Sequence, residues 1–187
     1  MLIRILIIFL ISMGILIPST YLYALAPAPE DKIKAAYIFQ FTKFIEWPDD
    51  NQAKSNQTFT ICIVGNDSIT TQLQPLNNRR VENRSIIIKT LNEKDNPVGC
   101  EILYIGKSVK SKLDKIIKLI QFQPMLTVSS IPEFAHHGGM INFVISDNKV
   151  RLEINLNSTR EADLKISAKL LEISLNVIKH SSGGADL

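Results

Sequence analysis

Residues 124–155, PMLTVSSIPEFAHHGGMINFVISDNKVRLEIN, carry the most restrictive pattern in the chain. Residues 150–156 alternate apolar and polar side chains, which predicts a strand with one buried face and one polar face. Residues 140–145 predict a partner strand, and residues 147–149 (DNK) between them are typical of a hairpin turn. A chain with this hairpin needs a sheet and an apolar layer that covers one face of it.

The polar face of the second predicted strand carries Arg151, Glu153 and Asn155. Before the hairpin, Gly138 and Gly139 permit backbone angles or close approaches that a Cβ would forbid. Such a face beside a glycine loop can grip a small ligand or a partner group that carries a carboxylate, an amine or a phosphate. The arginine and the glutamate can equally pair with each other, and the residues alone leave both interpretations open.

Strands and helices alternate along the rest of the chain. The earlier strands are predicted at 59–64, 85–91, 101–105 and 125–128, and the helices at 30–47, 67–73, 108–120 and 158–179. Ser158 and Glu161 have the spacing of a capping box, which begins the last of these helices. Alternating elements imply a parallel or mixed sheet with helices on both faces. We expect one three-layer α/β/α domain over residues 27–180, with a mixed sheet and a late antiparallel hairpin.

The ends of the chain are expected to lie outside that domain. Arg4 precedes a run at 5–17 that is apolar except for a serine and a glycine, and the run is typical of a secretory signal peptide, assigned to residues 1–26. An uncleaved membrane anchor is the alternative, although the run is short for a bilayer span. Residues 181–187 are predicted to be a disordered tail. We therefore expect the domain to be exported.

Charge and motifs exclude several function classes. Without the signal peptide the chain keeps 20 basic and 18 acidic residues, a balance unlike that of a nucleic-acid-binding protein. The sequence has no nucleophile elbow, P-loop, dinucleotide fingerprint, HExxH or CxxC motif, so we expect no enzyme activity, no catalytic residue and no cofactor. Glu133 and His137 could share a helix face, but two donors do not make a metal site, and none is expected.

The two cysteines, Cys62 and Cys100, both belong to the predicted exported part. In an oxidising compartment an even pair suggests a disulfide, whereas in the cytosol the same residues would be buried thiols. A separate feature is the aromatic first helix, on which Phe39, Phe44 and Trp47 broaden the apolar face. Such residues are usually core and occasionally form a partner surface.

Five segments resemble, in this order, the YfiR family of periplasmic proteins, and together they cover essentially all of the predicted domain. They are KAAYIFQFTKFIEWP, ICIVGND, CEILYIG, LTVSSIPEFAHHGGMINFVISDNKVRLEIN and LKISAKLLEIS. The FTKFIEWP helix end and the hairpin from GGMINF to RLEIN are the most specific of them.

The resemblance implies a periplasmic protein that binds the sensor domain of a membrane diguanylate cyclase and represses it, which lowers cyclic di-GMP and biofilm formation. It also implies that a homodimer can form, that Cys62 and Cys100 pair, and that small ligands bind near the hairpin, where Arg151 and Glu153 match the motif. The additional cysteine pair of some members is absent. The alternative is a stand-alone periplasmic small-molecule-binding or sensory module.

Overall fold

The computed structural model describes residues 29–48 and 57–179, so the predicted signal peptide and tail lie outside the described residues. The strands are β1 Ile45–Glu46, β2 Thr58–Val64, β3 Arg80–Val81, β4 Arg84–Leu91, β5 Ile102–Ile105, β6 Leu126–Ser129, β7 Ile141–Ser146, β8 Lys149–Asn155, β9 Lys165–Ile166 and β10 Asn176–Ile178. The helices are α1 Glu30–Phe44, α2 Ile69–Leu73, α3 Leu113–Ile120, α4 Leu156–Glu161 and α5 Ala168–Glu172. Short 3₁₀ turns at Gln74–Leu76 and Lys107–Lys112 precede β3 and α3.

Eight strands form one mixed sheet in the order β10-β8-β7-β6-β5-β2-β4-β3. Strands β2, β4, β5 and β6 are mutually parallel, and β7 runs parallel to β6. The hairpin β7–β8 is antiparallel, as its alternation predicted. The prediction of a mixed sheet with a late hairpin is therefore confirmed.

The sheet separates two apolar layers, because successive side chains of a strand point to opposite faces. On β2, Ile61 and Ile63 face α1 and pack in the larger cluster with Phe41. Cys62 and Val64 face the other way and pack in a smaller cluster with side chains from α3. The domain thus has the three layers that the alternation of strands and helices predicted. None of the helices in the described ranges is long and apolar enough to cross a bilayer.

The predicted helix over residues 158–179 is wrong. The chain there forms α4, β9, α5 and β10, and β10 pairs with β8 in parallel. The capping box does not form, because the side chain of Asn155 caps α4 three residues before Ser158 by accepting the Asn157 and Ser158 N–H groups. After α4, Asp163 has a φ of 55°, which is incompatible with a continuing helix. The apolar side chains at helical spacing in residues 158–179 therefore belong to several short elements and not to one helix.

The first helix ends earlier than predicted, at Phe44 instead of residue 47. Ile45 and Glu46 pair with Ile166 and Lys165 as the two-stranded ribbon β1–β9. The backbone at Ile45 is extended, with φ −110° and ψ 133°, so the helical hydrogen bonds stop there. The consequence is that Trp47 follows a strand and is not on the face of the helix.

A disulfide joins Cys62 on β2 to Cys100, just before β5, with 5.8 Å between their Cα atoms. The prediction of this bond is confirmed. Both cysteines are buried in the cluster between the sheet and α3. The bond fastens the loop before β5 to β2, which is the strand with which β5 pairs.

Replacing both cysteines, as in C62S/C100S, should lower the free energy of unfolding by about 4 kcal/mol, because the bond closes a loop with a sequence separation of 38 in the unfolded chain. Urea unfolding of the oxidised protein and the variant measures the difference. Reductant should destabilise the native protein and leave the variant unchanged. Free thiol in the unfolded, unreduced protein would contradict the assignment.

Candidate functional site

The central loop, residues 130–140, crosses the face of the sheet that α3 covers, beside the hairpin. Its backbone is fastened by four polar side chains of the sheet, namely Thr127, Ser129, Asn142 and Asn155. All four are buried, and Ser129 and Asn142 are fully inaccessible. Polar side chains at inward positions of strands normally destabilise a core, unless each finds a hydrogen-bond partner. Here the partners are the backbone groups of the loop.

Asn142 makes the most contacts in this network. Its Oδ1 accepts the Phe134 N–H at 3.1 Å, and its Nδ2 donates to the carbonyls of Ser129 at 3.3 Å and Ile131 at 3.1 Å. Ser129 donates through Oγ to the Ile105 carbonyl at 2.6 Å and accepts the Ile131 N–H at 3.0 Å. The start of the loop is therefore joined to β5, β6 and β7 at once.

The end of the loop is fastened by the other two side chains. Thr127 Oγ1 accepts the Met140 N–H at 3.0 Å. Asn155 Nδ2 donates to the Ala135 carbonyl at 2.7 Å, while its Oδ1 caps α4. Asn155 was predicted as a ligand or partner contact, and the structure places it in this buried network.

The two glycines have separate roles in the loop. Gly138 has a φ of 90°, a conformation that residues with a Cβ rarely adopt. A Cβ on Gly139 would overlap the ring of Phe134, which is fully buried. A cleft of about 110 Å³ adjoins Gly138, and its other walls include Phe122, Met140 and Glu161. It is small beside the roughly 300–1,000 Å³ of typical ligand pockets.

Arg151 and Glu153 lie on the polar face of β8, the face that Asn155 shares, and are half-buried. Glu153 pairs across the sheet with Asn142 on β7 and with Asn176 on β10, and Arg151 pairs with Val144. The register therefore puts Glu153 next to the network that holds the central loop. Neither residue is among those that line the cleft at Gly138.

The histidines of the loop point outward. His136 lies 3.9 Å from Glu133, and His137 lies 4.0 Å from Asp114 at the start of α3. The turn that these residues form thus brings Glu133 near His136, and His137 near Asp114. Within residues 29–48 and 57–179, no three His, Cys, Asp or Glu side chains are grouped to hold a metal ion.

A second candidate surface is the groove at the end of α1, here called the Trp47 groove. It has a volume of about 780 Å³ and is lined by Thr42, Lys43, Ile45, Glu46, Trp47, Pro48, Phe59, Val81, Glu82, Asn83, Arg84, Asp163 and Lys165. Trp47 packs edge-on against Phe59 with ring centroids 5.1 Å apart, and its Nε1 donates to the Glu101 carbonyl at 3.2 Å. The predicted partner residue Trp47 is thus a wall of an open groove.

Charged side chains order the floor of the Trp47 groove. Arg84 forms an ion pair with Glu101, and its guanidinium lies 5.1 Å from the Phe59 ring centroid. Glu101 also accepts the Thr60 N–H at 2.7 Å, so its carboxylate is fully engaged. Sequence reasoning missed Arg84 and Glu101, because both looked like ordinary polar residues at strand ends.

The other predicted partner residues, Phe39 and Phe44, are half-buried against the core. The Phe39 ring lies beneath two cations, Lys43 at 4.9 Å and Arg79 at 5.6 Å from its centroid. The α1 end therefore carries an aromatic ring that two cations flank, an arrangement that cation–π attraction stabilises.

The sheet edge where α/β folds commonly bind ligands is closed here. Strand β2 has β4 on one side and β5 on the other, so the usual crevice lies beyond the carboxyl ends of β2 and β5. A Cβ on Gly65 would lie 2.8 Å from Ser108 Oγ, which also accepts the Asn66 N–H at 2.7 Å. Tyr104 donates to Asp67 at 3.0 Å in the same place, and burial raises the pKa of its hydroxyl, which stays neutral. Backbone and side chains fill this crevice.

Comparison with known proteins gives a family match and a fold match. A family model described as YfiR/HmsC-like matches residues 31–174. No curated protein matches the sequence significantly. A solved structure described as the ABC domain in complex with L-Trp from Streptococcus pneumonia aligns with a TM-score of 0.52 and 10% identity, over 80% of this chain and 60% of that one. At this identity the likeness shows a shared fold alone, and this chain spans about 60% of that structure's length.

The packing of the central loop predicts different costs for two glycine substitutions. G139A should lower the free energy of unfolding by about 3 kcal/mol, because the buried Phe134 ring cannot move aside without strain. G99A is the matched control, since Gly99 has a φ of 86° with nothing near its Cβ position, and it should cost about 1 kcal/mol. Urea unfolding of both variants checks the order. Equal costs would mean that the loop repacks freely.

Proposed function

The chain belongs to the YfiR/HmsC-like family, and from that membership we propose that it is a periplasmic regulatory protein, not an enzyme. It binds the periplasmic sensor domain of an inner-membrane diguanylate cyclase and represses the cyclase, which lowers cyclic di-GMP and biofilm formation. The observation that carries the proposal is the family match over residues 31–174, which span nearly all of the described fold. The disulfide supports the periplasm, because such bonds persist in oxidising compartments.

The Trp47 groove is our candidate for the cyclase-binding surface. It combines the aromatic walls Trp47 and Phe59 with Arg84, and aromatic and arginine side chains dominate the energetics of protein interfaces when a partner covers them. Phe39 and Phe44 extend this surface along α1. A sensor-domain segment with an apolar anchor and acidic neighbours fits both the aromatic walls and the cations above Phe39.

The polar face of the hairpin is our candidate for signal input, through a small ligand or a second partner group. Arg151 and Glu153 are half-buried, which favours charge-assisted hydrogen bonds to a ligand over fully solvated charges. Glu153 neighbours Asn142, whose amide holds the central loop with Gly138 and Gly139. A group that binds Glu153 would therefore act on the position of the loop through one neighbouring side chain, Asn142.

A repressor works by preferring one state of its target. It must bind the inactive cyclase more tightly than the active one, and a shift from mostly active to mostly inactive needs roughly a 10⁴-fold preference. A homodimer of this chain would present two copies of the surface and raise the apparent affinity for a target with two matching sites by avidity.

A stand-alone small-molecule-binding or sensory module is the second candidate. The solved structure that shares the fold is described as a complex with L-Trp, so small-molecule binding is worth testing. The filled crevice beyond β2 and β5 argues against the usual α/β ligand position in this chain, and the hairpin face is then the place to look.

Deleting the gene should raise cyclic di-GMP and cell aggregation, because the cyclase loses the protein that holds its inactive state. The rise should disappear when the partner cyclase is deleted as well. Cyclic di-GMP measured in the single and double deletions tests this. An unchanged level in the single deletion, with both proteins expressed, would refute repression and favour the small-molecule module.

Complementation of that deletion should separate the two candidate surfaces. E153Q keeps the shape of the side chain and removes its charge, so it should weaken a charge-assisted contact by roughly tenfold with little loss of stability. F39S tests the α1 surface in the same assay. E172Q and V98S are matched controls at exposed positions, and both should restore repression. Full repression by E153Q would leave Arg151 and Glu153 as surface charges.

A further inference from the structure

The outer side of the segment 107–118, which leads into and forms most of α3, is strongly basic. Its exposed cations are Lys107, Lys110, Lys112, Lys115 and Lys118. Lys112 is paired with Glu93, and Asp114 is the one acidic residue of the segment. The inner side of α3 packs on the sheet through Leu113, Ile117 and Ile120, so the basic side faces outward.

Two large apolar side chains are exposed at the end of this basic side. Leu119 is 63% exposed on the last turn of α3, and Phe122 is 65% exposed in the turn that follows. Lys115, Lys118 and Leu119 share one helix face, because they are three and four residues apart. The basic surface therefore ends in an apolar tip. We call the lysines together with Leu119 and Phe122 the α3 surface.

The backbone at Phe122 is unusual for an aromatic residue. Gln121 has φ −55° and ψ 136°, Phe122 has a φ of 64°, and the Gln123 N–H donates to the Ile120 carbonyl at 3.1 Å. These values define a type II turn with Phe122 at the position that glycine prefers. A bulky residue with positive φ at this position costs conformational energy. The ring walls the cleft at Gly138 on one side and is otherwise open to solvent, where a partner can reach it.

We infer that the α3 surface binds anionic lipid bilayers, with the lysines at the headgroups and Leu119 and Phe122 inserted between them. Charge complementarity requires an anionic partner, and the apolar tip requires that the partner accept two apolar side chains. Lysines are depleted in the buried centres of protein interfaces. Lysines beside leucine and phenylalanine are typical of surfaces that lie on membranes. An anionic bilayer meets both requirements better than an acidic protein does.

The contact would be shallow. The apolar side of α3 is already used against the sheet, so the protein touches the bilayer only through side-chain tips and cannot submerge the helix. Binding should therefore be reversible and weakened by salt, because much of it comes from lysines near a charged surface. Such binding would keep the protein at the membrane without an anchor in this domain.

Co-sedimentation of the purified full chain with lipid vesicles tests the inference. The protein should bind vesicles that contain phosphatidylglycerol more tightly than vesicles of phosphatidylcholine alone. K115Q/K118Q should reduce the partition coefficient by roughly 30-fold, at about fivefold for each lysine near an anionic surface. L119S/F122G should reduce it by at least about tenfold, and glycine at position 122 relieves the turn, so unfolding would not explain that loss.

Matched control variants show whether a loss of vesicle binding is specific to the α3 surface. K149Q/K169Q removes the same charge from exposed lysines elsewhere, and I145S removes an apolar side chain that is 53% exposed on β7. Both should bind like the native protein, and all variants share one N-terminus. Equal binding to both vesicle types, or equal losses in the controls, would overturn the inference. Absent vesicle binding would overturn it as well, and failed repression by K115Q/K118Q in that case would indicate a protein partner. The vesicle assay contains no cyclase, so its result is independent of the proposed repression.

Discussion

The amide of Asn142 is the contact on which the arrangement of the central loop depends. A segment that lies across a sheet without strand pairing must still satisfy its buried N–H and carbonyl groups, and water cannot reach them. From a fully buried position on β7, Asn142 serves the Phe134 N–H and the Ile131 carbonyl of the loop, and it also donates to the Ser129 and Phe143 carbonyls. Each such bond contributes only about 1 kcal/mol, but leaving its partner unsatisfied costs more. The amide therefore selects one position for the loop and stabilises it modestly.

The need to satisfy buried backbone groups through contacts distant in sequence explains which parts of the fold the sequence could predict. The hairpin β7–β8 follows from alternation, because side-chain direction in a strand depends on parity alone. The helix over 158–179 could not be rejected in the same way, since its apolar spacing also suits short elements joined by turns. Asn155 decides the start of α4, because its Oδ1 caps that helix early. Its Nδ2 donates to the Ala135 carbonyl, and this long-range contact fixes the side chain in the capping position. A tertiary contact overrode the local pattern.

In the candidate sites, too, local patterns predicted some features and tertiary contacts decided the others. Gly138 and Gly139 could be recognised as backbone requirements, yet only the buried ring of Phe134 explains why the second one must lack a Cβ. The aromatic residues near α1 were found, whereas Arg84 and Glu101 were not. Their ion pair forms between β4 and the start of β5, which are separate in sequence, and no spacing rule connects them. Long-range pairs of this kind set the floor of the Trp47 groove.

The Trp47 groove and the α3 surface lie on opposite layers of the domain, and their arrangement constrains how the protein could act. Helix α1 packs on one face of the sheet and α3 on the other. Contact of the α3 surface with a bilayer would direct the α1 layer and its aromatic side chains away from the lipid. A cyclase sensor domain that projects from the same membrane would then meet the Trp47 groove from the side or from above. Restricting both proteins to one surface raises their effective concentration, so modest affinity at the groove would suffice for repression.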